Sequence, residues 1–98
     1  MKVSLSPASQ RDLRQIILYI ARDNPVRARS FGRELRQRCH EVGDGPELYP
    51  LAQNLGEGVR FIRHGVYLIF YVVEPEQVRI RRVLHGARFI DADMVRPV

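Results

Sequence analysis

The run Val66-Tyr67-Leu68-Ile69-Phe70-Tyr71-Val72-Val73 holds only β-branched, aromatic and leucine side chains. Bounded by His64-Gly65 on one side and Glu74-Pro75-Glu76-Gln77 on the other, it has strand length and strand composition. Because it is continuous rather than alternating, it predicts a central strand covered on both faces. The remainder of the chain must therefore supply strand neighbours for it and apolar cover.

The neighbours lie on either side in sequence. Val59-Arg60-Phe61-Ile62-Arg63 precedes it across a tight turn at His64-Gly65, and Val78-Arg79-Ile80-Arg81-Arg82-Val83-Leu84-His85 follows, ended by Gly86. Three consecutive strands joined by short turns make an antiparallel meander. A fourth short strand is read at residues 2–5, where alternation sets Val3 and Leu5 on one face.

The cover comes from two helices. Ser6-Pro7 is a helix start, since serine accepts from an early backbone N–H and proline fits the first turn without loss. Leu13, Ile16, Ile17 and Ile20 then form one buried stripe, and Arg11, Asp12, Arg14 and Gln15 are expected outward. Asp23-Asn24-Pro25 ends this helix and caps the next, a connection short enough to require a helical hairpin. The second helix turns Ala28, Phe31, Leu35, Cys39 and Val42 inward and leaves Arg27, Arg29, Arg33, Arg36 and Arg38 elsewhere, up to Gly43-Asp44-Gly45-Pro46. Residues 43–58 are irregular, pinned to the body by Leu48, Tyr49, Leu51 and Leu55.

The expected architecture is thus α+β, in the order β-α-α-β-β-β, with a helical hairpin packed on a mainly antiparallel sheet and the other sheet face partly open. With 98 residues, 1–98 form one domain with one core and one site. No apolar run approaches the roughly 18 residues of a membrane span, and the N-terminus lacks a signal-peptide core, so a cytoplasmic protein without membrane association is expected. The lone Cys39 allows no intrachain disulfide and suits a small buried residue. His40, His64 and His85 show no metal-ligand spacing; no metal and no cofactor are expected.

The formal net charge is +5, and every basic residue except Lys2 is arginine. Such a surface attracts nucleic acid, the ribosome or an acidic protein, and charge alone does not choose. The last strand concentrates the candidates. Strict alternation would place Arg79, Arg81, Val83 and His85 on one face and Val78, Ile80, Arg82 and Leu84 on the other. Arg82, on the more apolar face, then needs an anionic partner, which a helix carboxylate at the sheet margin would supply. Arg60 and Arg63 would join Arg79 and Arg81 in a basic cleft on the open face, seating phosphates or an acidic peptide; the alternative is a solvated face with scattered arginines. His85, at the strand end, is read either as structural or as a general acid or base. Tyr67 and Tyr71 lie opposite Leu68 and Phe70, so one aromatic pair faces the open side, either to stack a base or to cap a core edge. There is no phosphate-binding glycine loop, nucleophile elbow or paired-carboxylate set.

Ser6-Pro7-Ala8 with Asp12-Leu13, the phrase Tyr67-Leu68-Ile69-Phe70-Tyr71-Val72-Val73, and above all Ile80-Arg81-Arg82-Val83-Leu84-His85-Gly86-Ala87-Arg88 resemble ParE-type toxins of the ParE/RelE superfamily. The likeness spans nearly the whole chain. It implies the toxin of a type II toxin–antitoxin pair, neutralised by a cognate antitoxin (ParD-like or other) whose C-terminal segment wraps the helical hairpin and sheet, with DNA gyrase as the target and no hydrolytic reaction required. RelE relatives use the same fold as ribosome-dependent endoribonucleases, with basic residues and often a tyrosine or histidine near the C-terminus. The chain departs from the pattern twice: no tyrosine follows Gly86, and Phe89 stands where many ParE sequences carry an aspartate. Phe89, Ile90, Met94 and Val95 are expected either to pack as a short helix or to lie exposed for a partner.

The resemblance leaves three functions open: a non-enzymatic gyrase inhibitor, an endoribonuclease of RelE type, and a decayed toxin that only binds its antitoxin. Target or partner contacts are expected from Arg60, Arg63, Arg79, Arg81, Arg82, His85 and Arg88, with no catalytic residue assigned.

Overall fold

A computed structural model describes residues 1–97. The elements run β1 (Lys2–Leu5), α1 (Pro7–Ala21), α2 (Pro25–Glu41), β2 (Arg60–His64), β3 (Tyr67–Val73) and β4 (Gln77–His85). The sheet order is β1-β4-β3-β2; β2, β3 and β4 pair antiparallel, and β1 joins β4 in parallel at the edge. The parallel pair follows from the hairpin of helices, which carries the chain from β1 across the sheet before the meander begins.

Both helix starts are the ones the proline pairs announce. The Ser6 Oγ accepts the Ser9 N–H at 3.0 Å, and the Asn24 side chain accepts the Arg27 N–H at 3.0 Å. Ser6 does more than cap. Its own N–H donates to the Ile80 carbonyl (2.9 Å) and its hydroxyl to the Arg81 carbonyl (2.8 Å), so the start of α1 is stitched to β4.

The β2–β3 turn sits one residue later than expected, at Gly65-Val66, with His64 paired to Tyr67. The tight hairpin turn puts its positive φ on the first central residue, and Gly65 at φ 59° supplies it without a side-chain clash.

A larger difference lies in β4. Ile80 pairs with Tyr71 and Arg82 with Phe70, so one extra residue bulges between them. The bulge reverses the alternation beyond it. Val78, Ile80, Val83 and His85 therefore share the helix side of the sheet, and Arg79, Arg82 and Leu84 take the other side, unlike the strict period-two reading. The Arg81 carbonyl freed at the bulge is the one Ser6 satisfies.

The core lies between helices and sheet: Leu13, Ile16, Leu35, Cys39 and Val42 meet Ile62, Ile69, Tyr71, Val78, Ile80 and Val83, with Val3 and Leu5 packed beside them. Each fully buried large side chain contributes about 1.5–3 kcal/mol. The opposite sheet face is not open, which corrects the sequence expectation. Ala52, Leu55 and Val59 from the irregular segment, and Ile90, Met94 and Val95 from the tail, pack on Phe61, Leu68, Phe70, Val72 and Leu84. An all-apolar β3 requires this, since its second face would otherwise expose Phe70 and Val72 to water. Tyr49 and Leu55 pin residues 43–58 as expected, whereas Leu48 and Leu51 are exposed. The tail forms a 3₁₀ turn at Ala92–Val95; Val95 is fully buried, and Phe89, at 81% exposure, faces solvent.

Candidate binding groove and its place in a known family

Where α1 passes over the ends of β3 and β4, Gln15, Ile16 and Tyr19 face Val66, Tyr67, Leu84, His85 and Arg88 across an open groove of about 430 Å³. Its walls are more apolar than polar. Tyr19 is 66% exposed and Val66 53%, so the rim of the groove presents apolar and aromatic surface to solvent.

The groove floor is set by Asp12. It was expected to point outward and is instead 7% exposed, because three donors converge on it. The Arg82 guanidinium gives a fork of two hydrogen bonds (Nε to Oδ2 2.7 Å, an N–H of the second arm to Oδ1 2.8 Å), and the Val83 backbone N–H adds a third at 2.9 Å. Asp12 raises the already high Arg82 pKa by this hydrogen bonding. The margin pairing expected of Arg82 is thus the one formed, and Arg82 also donates to the Met94 carbonyl at 2.9 Å. Three elements are tied at one guanidinium: α1, β4 and the tail.

His85 and Tyr67 stand edge to face, ring centroids 5.4 Å apart, as paired residues on the helix side of the sheet. The Ala87 N–H donates to His85 Nδ1 at 3.0 Å, so the neutral ring carries its proton on Nε2. Burial, and then the neighbouring Tyr19 phenol, raise the Tyr67 pKa, which keeps that hydroxyl protonated. A tyrosine and a histidine are therefore present together, the tyrosine coming from β3 and not from the tail. Tyr71, by contrast, is wholly buried and donates to the Pro46 carbonyl at 2.5 Å.

The chain from residue 3 to residue 89 matches the sequence model of the family described as the ParE toxin of the type II toxin–antitoxin system parDE. The chain belongs to the ParE toxin family. It is thus a type II toxin–antitoxin toxin by family. Among solved structures, it is similar to a chain of the chromosomal ParDE system of P. aeruginosa, at TM-score 0.76 and 14% identity over 87% of this chain and 95% of that one. It is also similar to a chain of the RelBE toxin–antitoxin complex of Mycobacterium tuberculosis, at TM-score 0.63 and 24% identity over 86% and 95%. These two likenesses show the fold of two helices on a four-stranded mixed sheet. No curated protein sequence matches the chain.

In this ParE-family chain the candidate arginines do not gather into one cleft. Arg60 is held by the Tyr49 carbonyl at 2.6 Å, on the helix side of the sheet by its pairing with Tyr71. Arg63 pairs with Leu68 and so lies on the tail side, exposed near the hairpin turn. Arg79 donates to the Ser4 hydroxyl (3.2 Å), and Arg81 to the Val95 carbonyl (3.3 Å); these two share a shallow recess with Glu74 and Pro97. Burial lowers the Arg81 pKa, and its Nε finds no acceptor among the described residues. Of the seven, His85 and Arg88 line the groove.

Gln15, Tyr19 and Val66 were missed as groove residues. A signal existed for one of them: Leu18-Tyr19 extends the apolar run Ile16-Ile17 beyond what a single buried stripe can use. Among the described residues no three His, Cys, Asp or Glu side chains are placed to hold a metal ion, and no helix is long and apolar enough to cross a membrane.

Proposed function

We propose that this chain inhibits DNA gyrase by binding, with the groove between α1 and the β3–β4 end as its contact face, and that a cognate antitoxin of ParD or related type neutralises it. The observation that carries the reading is the state of Asp12. The one carboxylate at the groove floor has its lone pairs committed to Arg82 and Val83, so it is not offered as a base, while the rim presents bare apolar and aromatic surface for contact. A net charge of +5 suits an acidic antitoxin segment. The proteins that resemble this fold come from toxin–antitoxin systems, which supports a protein partner here.

A second reading has its own observation. His85, Tyr67 and Arg88 meet in one groove, and a protonated Nε2 beside a neutral phenol and a guanidinium is a set that RNA cleavage could use.

Pulse labelling of DNA, RNA and protein synthesis within minutes of inducing the chain without antitoxin distinguishes the two. Early loss of DNA synthesis with translation continuing supports gyrase inhibition. Early loss of translation with DNA synthesis spared favours the ribonuclease. Unimpaired growth leaves a protein that only binds its antitoxin.

A further inference from the structure

The solvent side of the helical hairpin carries two rows of arginine. On α2, Arg29, Arg33 and Arg36 recur at i, i+4 and i+7, on a flank away from Ala28, Gly32, Leu35 and Cys39, which are buried. On α1, Arg11 and Arg14, with Arg22 at the helix end, face away from Leu13 and Ile16. All six are exposed. Among the described residues none has a carboxylate within ion-pair distance: Glu34 is taken by Arg27 at 2.6 Å, and Asp12 is buried against Arg82. Asp23 and Glu41 stand at the ends of the hairpin.

We infer that this face seats the phosphate backbone of duplex DNA. The inference rests on the gyrase reading, because gyrase acts on duplex DNA and a protein bound to the working enzyme lies beside that duplex. The geometry fits a duplex. The eleven helical rises from Arg11 to Arg22 span about 16 Å, and neighbouring helix axes lie about 8–10 Å apart. The two rows are therefore parallel lines of charge against a polymer that presents one phosphate per roughly 1.7 Å of axis. Arginine's planar fork suits phosphate. Tyrosine and arginine both serve protein contacts, but the tyrosines stand in the groove (Tyr19, Tyr67) and none stands among the six arginines, whose unpaired, regularly spaced charge matches a phosphate backbone. Groove and arginine face thus divide the work: one takes protein, the other nucleic acid.

The test is fluorescence anisotropy of the purified chain, freed of any antitoxin, with a labelled mixed-sequence duplex of about 20 base pairs over a range of salt. If the face seats about four to six phosphates, log affinity falls with log salt at a slope of about −4 to −5. Arg33→Gln/Arg36→Gln is expected to weaken binding about tenfold or more at low salt and reduce the slope by about 2. Lys2→Gln/Arg96→Gln removes the same charge from exposed positions off the hairpin and is expected to leave both nearly unchanged. Should the α2 variant fail to fold, Arg11→Gln/Arg14→Gln on α1 asks the same question. Equal losses in the hairpin and control variants would show attraction to net charge alone and overturn the proposal. So would no binding by the unmodified chain at about 50 mM salt, or tighter binding to single strands or duplex RNA. Duplex binding through the hairpin by a chain that leaves gyrase untouched would refute the gyrase reading and leave this one standing.

Discussion

Asp12 on α1 and Arg82 on β4 form a two-pronged ion pair, at 2.7 and 2.8 Å, that a third bond from the Val83 N–H completes. The same guanidinium holds the tail through the Met94 carbonyl. Asp12→Ala leaves Arg82 with a partly buried, uncompensated charge and Val83 without an acceptor. Breaking a buried pair costs about 3–5 kcal/mol; with Arg82 23% exposed, we expect about 2–4 kcal/mol by urea unfolding. Asp12→Ala with Arg82→Leu is expected to lose less than Asp12→Ala alone. A single variant within about 0.5 kcal/mol of the parent would show that the pair does not secure α1 to the sheet.

Gly43 is buried against the first residue of the chain. A Cβ there would clash with the Met1 carbonyl oxygen and meet Val3 Cγ2 at 2.9 Å, and the first of these is backbone. That same chain end is fixed from the other side, the Met1 ammonium donating to the Gly43 carbonyl at 2.8 Å. Gly43→Ala should cost about 1–3 kcal/mol and free β1 at the sheet edge, read as faster amide exchange at Val3 and Leu5. Unchanged exchange there would contradict the close approach.

Alkaline pH should destabilise the fold. Burial pushes the Cys39 thiol from 9.0 up to about 12 and the Tyr71 phenol from 10.0 up to about 12. Both groups are raised in the folded state, so the stability they carry is whole below their unfolded values and is lost as pH climbs from about 9 through 12. Chemical unfolding at pH 8 and pH 10.5 should show the loss, and Cys39→Ala with Tyr71→Phe should flatten it, whatever the variant's absolute stability. A parent equally stable at both pH values would rule out the buried, protonated pair.

His85 is exposed at the strand end, so His85→Ala should fold with a stability change within about 0.5 kcal/mol. On the gyrase reading it keeps gyrase-directed activity, at most weakened by lost contact area. Abolished toxicity in a folded His85→Ala that still binds antitoxin would instead assign the proton chemistry of the ribonuclease reading.

Much of the fold was legible because local chemistry and tertiary structure agree. Ser6-Pro7 and Asn24-Pro25 could start helices only where they do, and the apolar run of β3 could only be central. What escaped was set by distant partners. Asp12 has the polarity of a surface residue, and nothing near it in sequence says that Arg82 and the Val83 N–H, some seventy residues on, will bury it. The β4 bulge was hidden for a related reason: Arg81 and Arg82 have no apolar contrast to betray a skipped residue, so alternation was carried through and the faces beyond were exchanged. The cover over the second sheet face comes from residues 52–59 and 90–95, which lack periodicity to announce a packed side. Of the site, His85 and Arg88 could be named from the strand end, but the groove needed α1 laid over it before Tyr19 and Val66 became a surface.

Gyrase inhibition and the groove's part in it are tested together by supercoiling of relaxed plasmid by purified gyrase, with the chain and with Tyr19→Ala/Val66→Ser added at rising concentration. Both substituted side chains are largely exposed, so the variant should fold like the parent. The account predicts that the parent blocks supercoiling and that the groove variant does so at least about tenfold less well, in line with the loss of two apolar anchors. Undiminished supercoiling at a large excess of folded parent chain would contradict it.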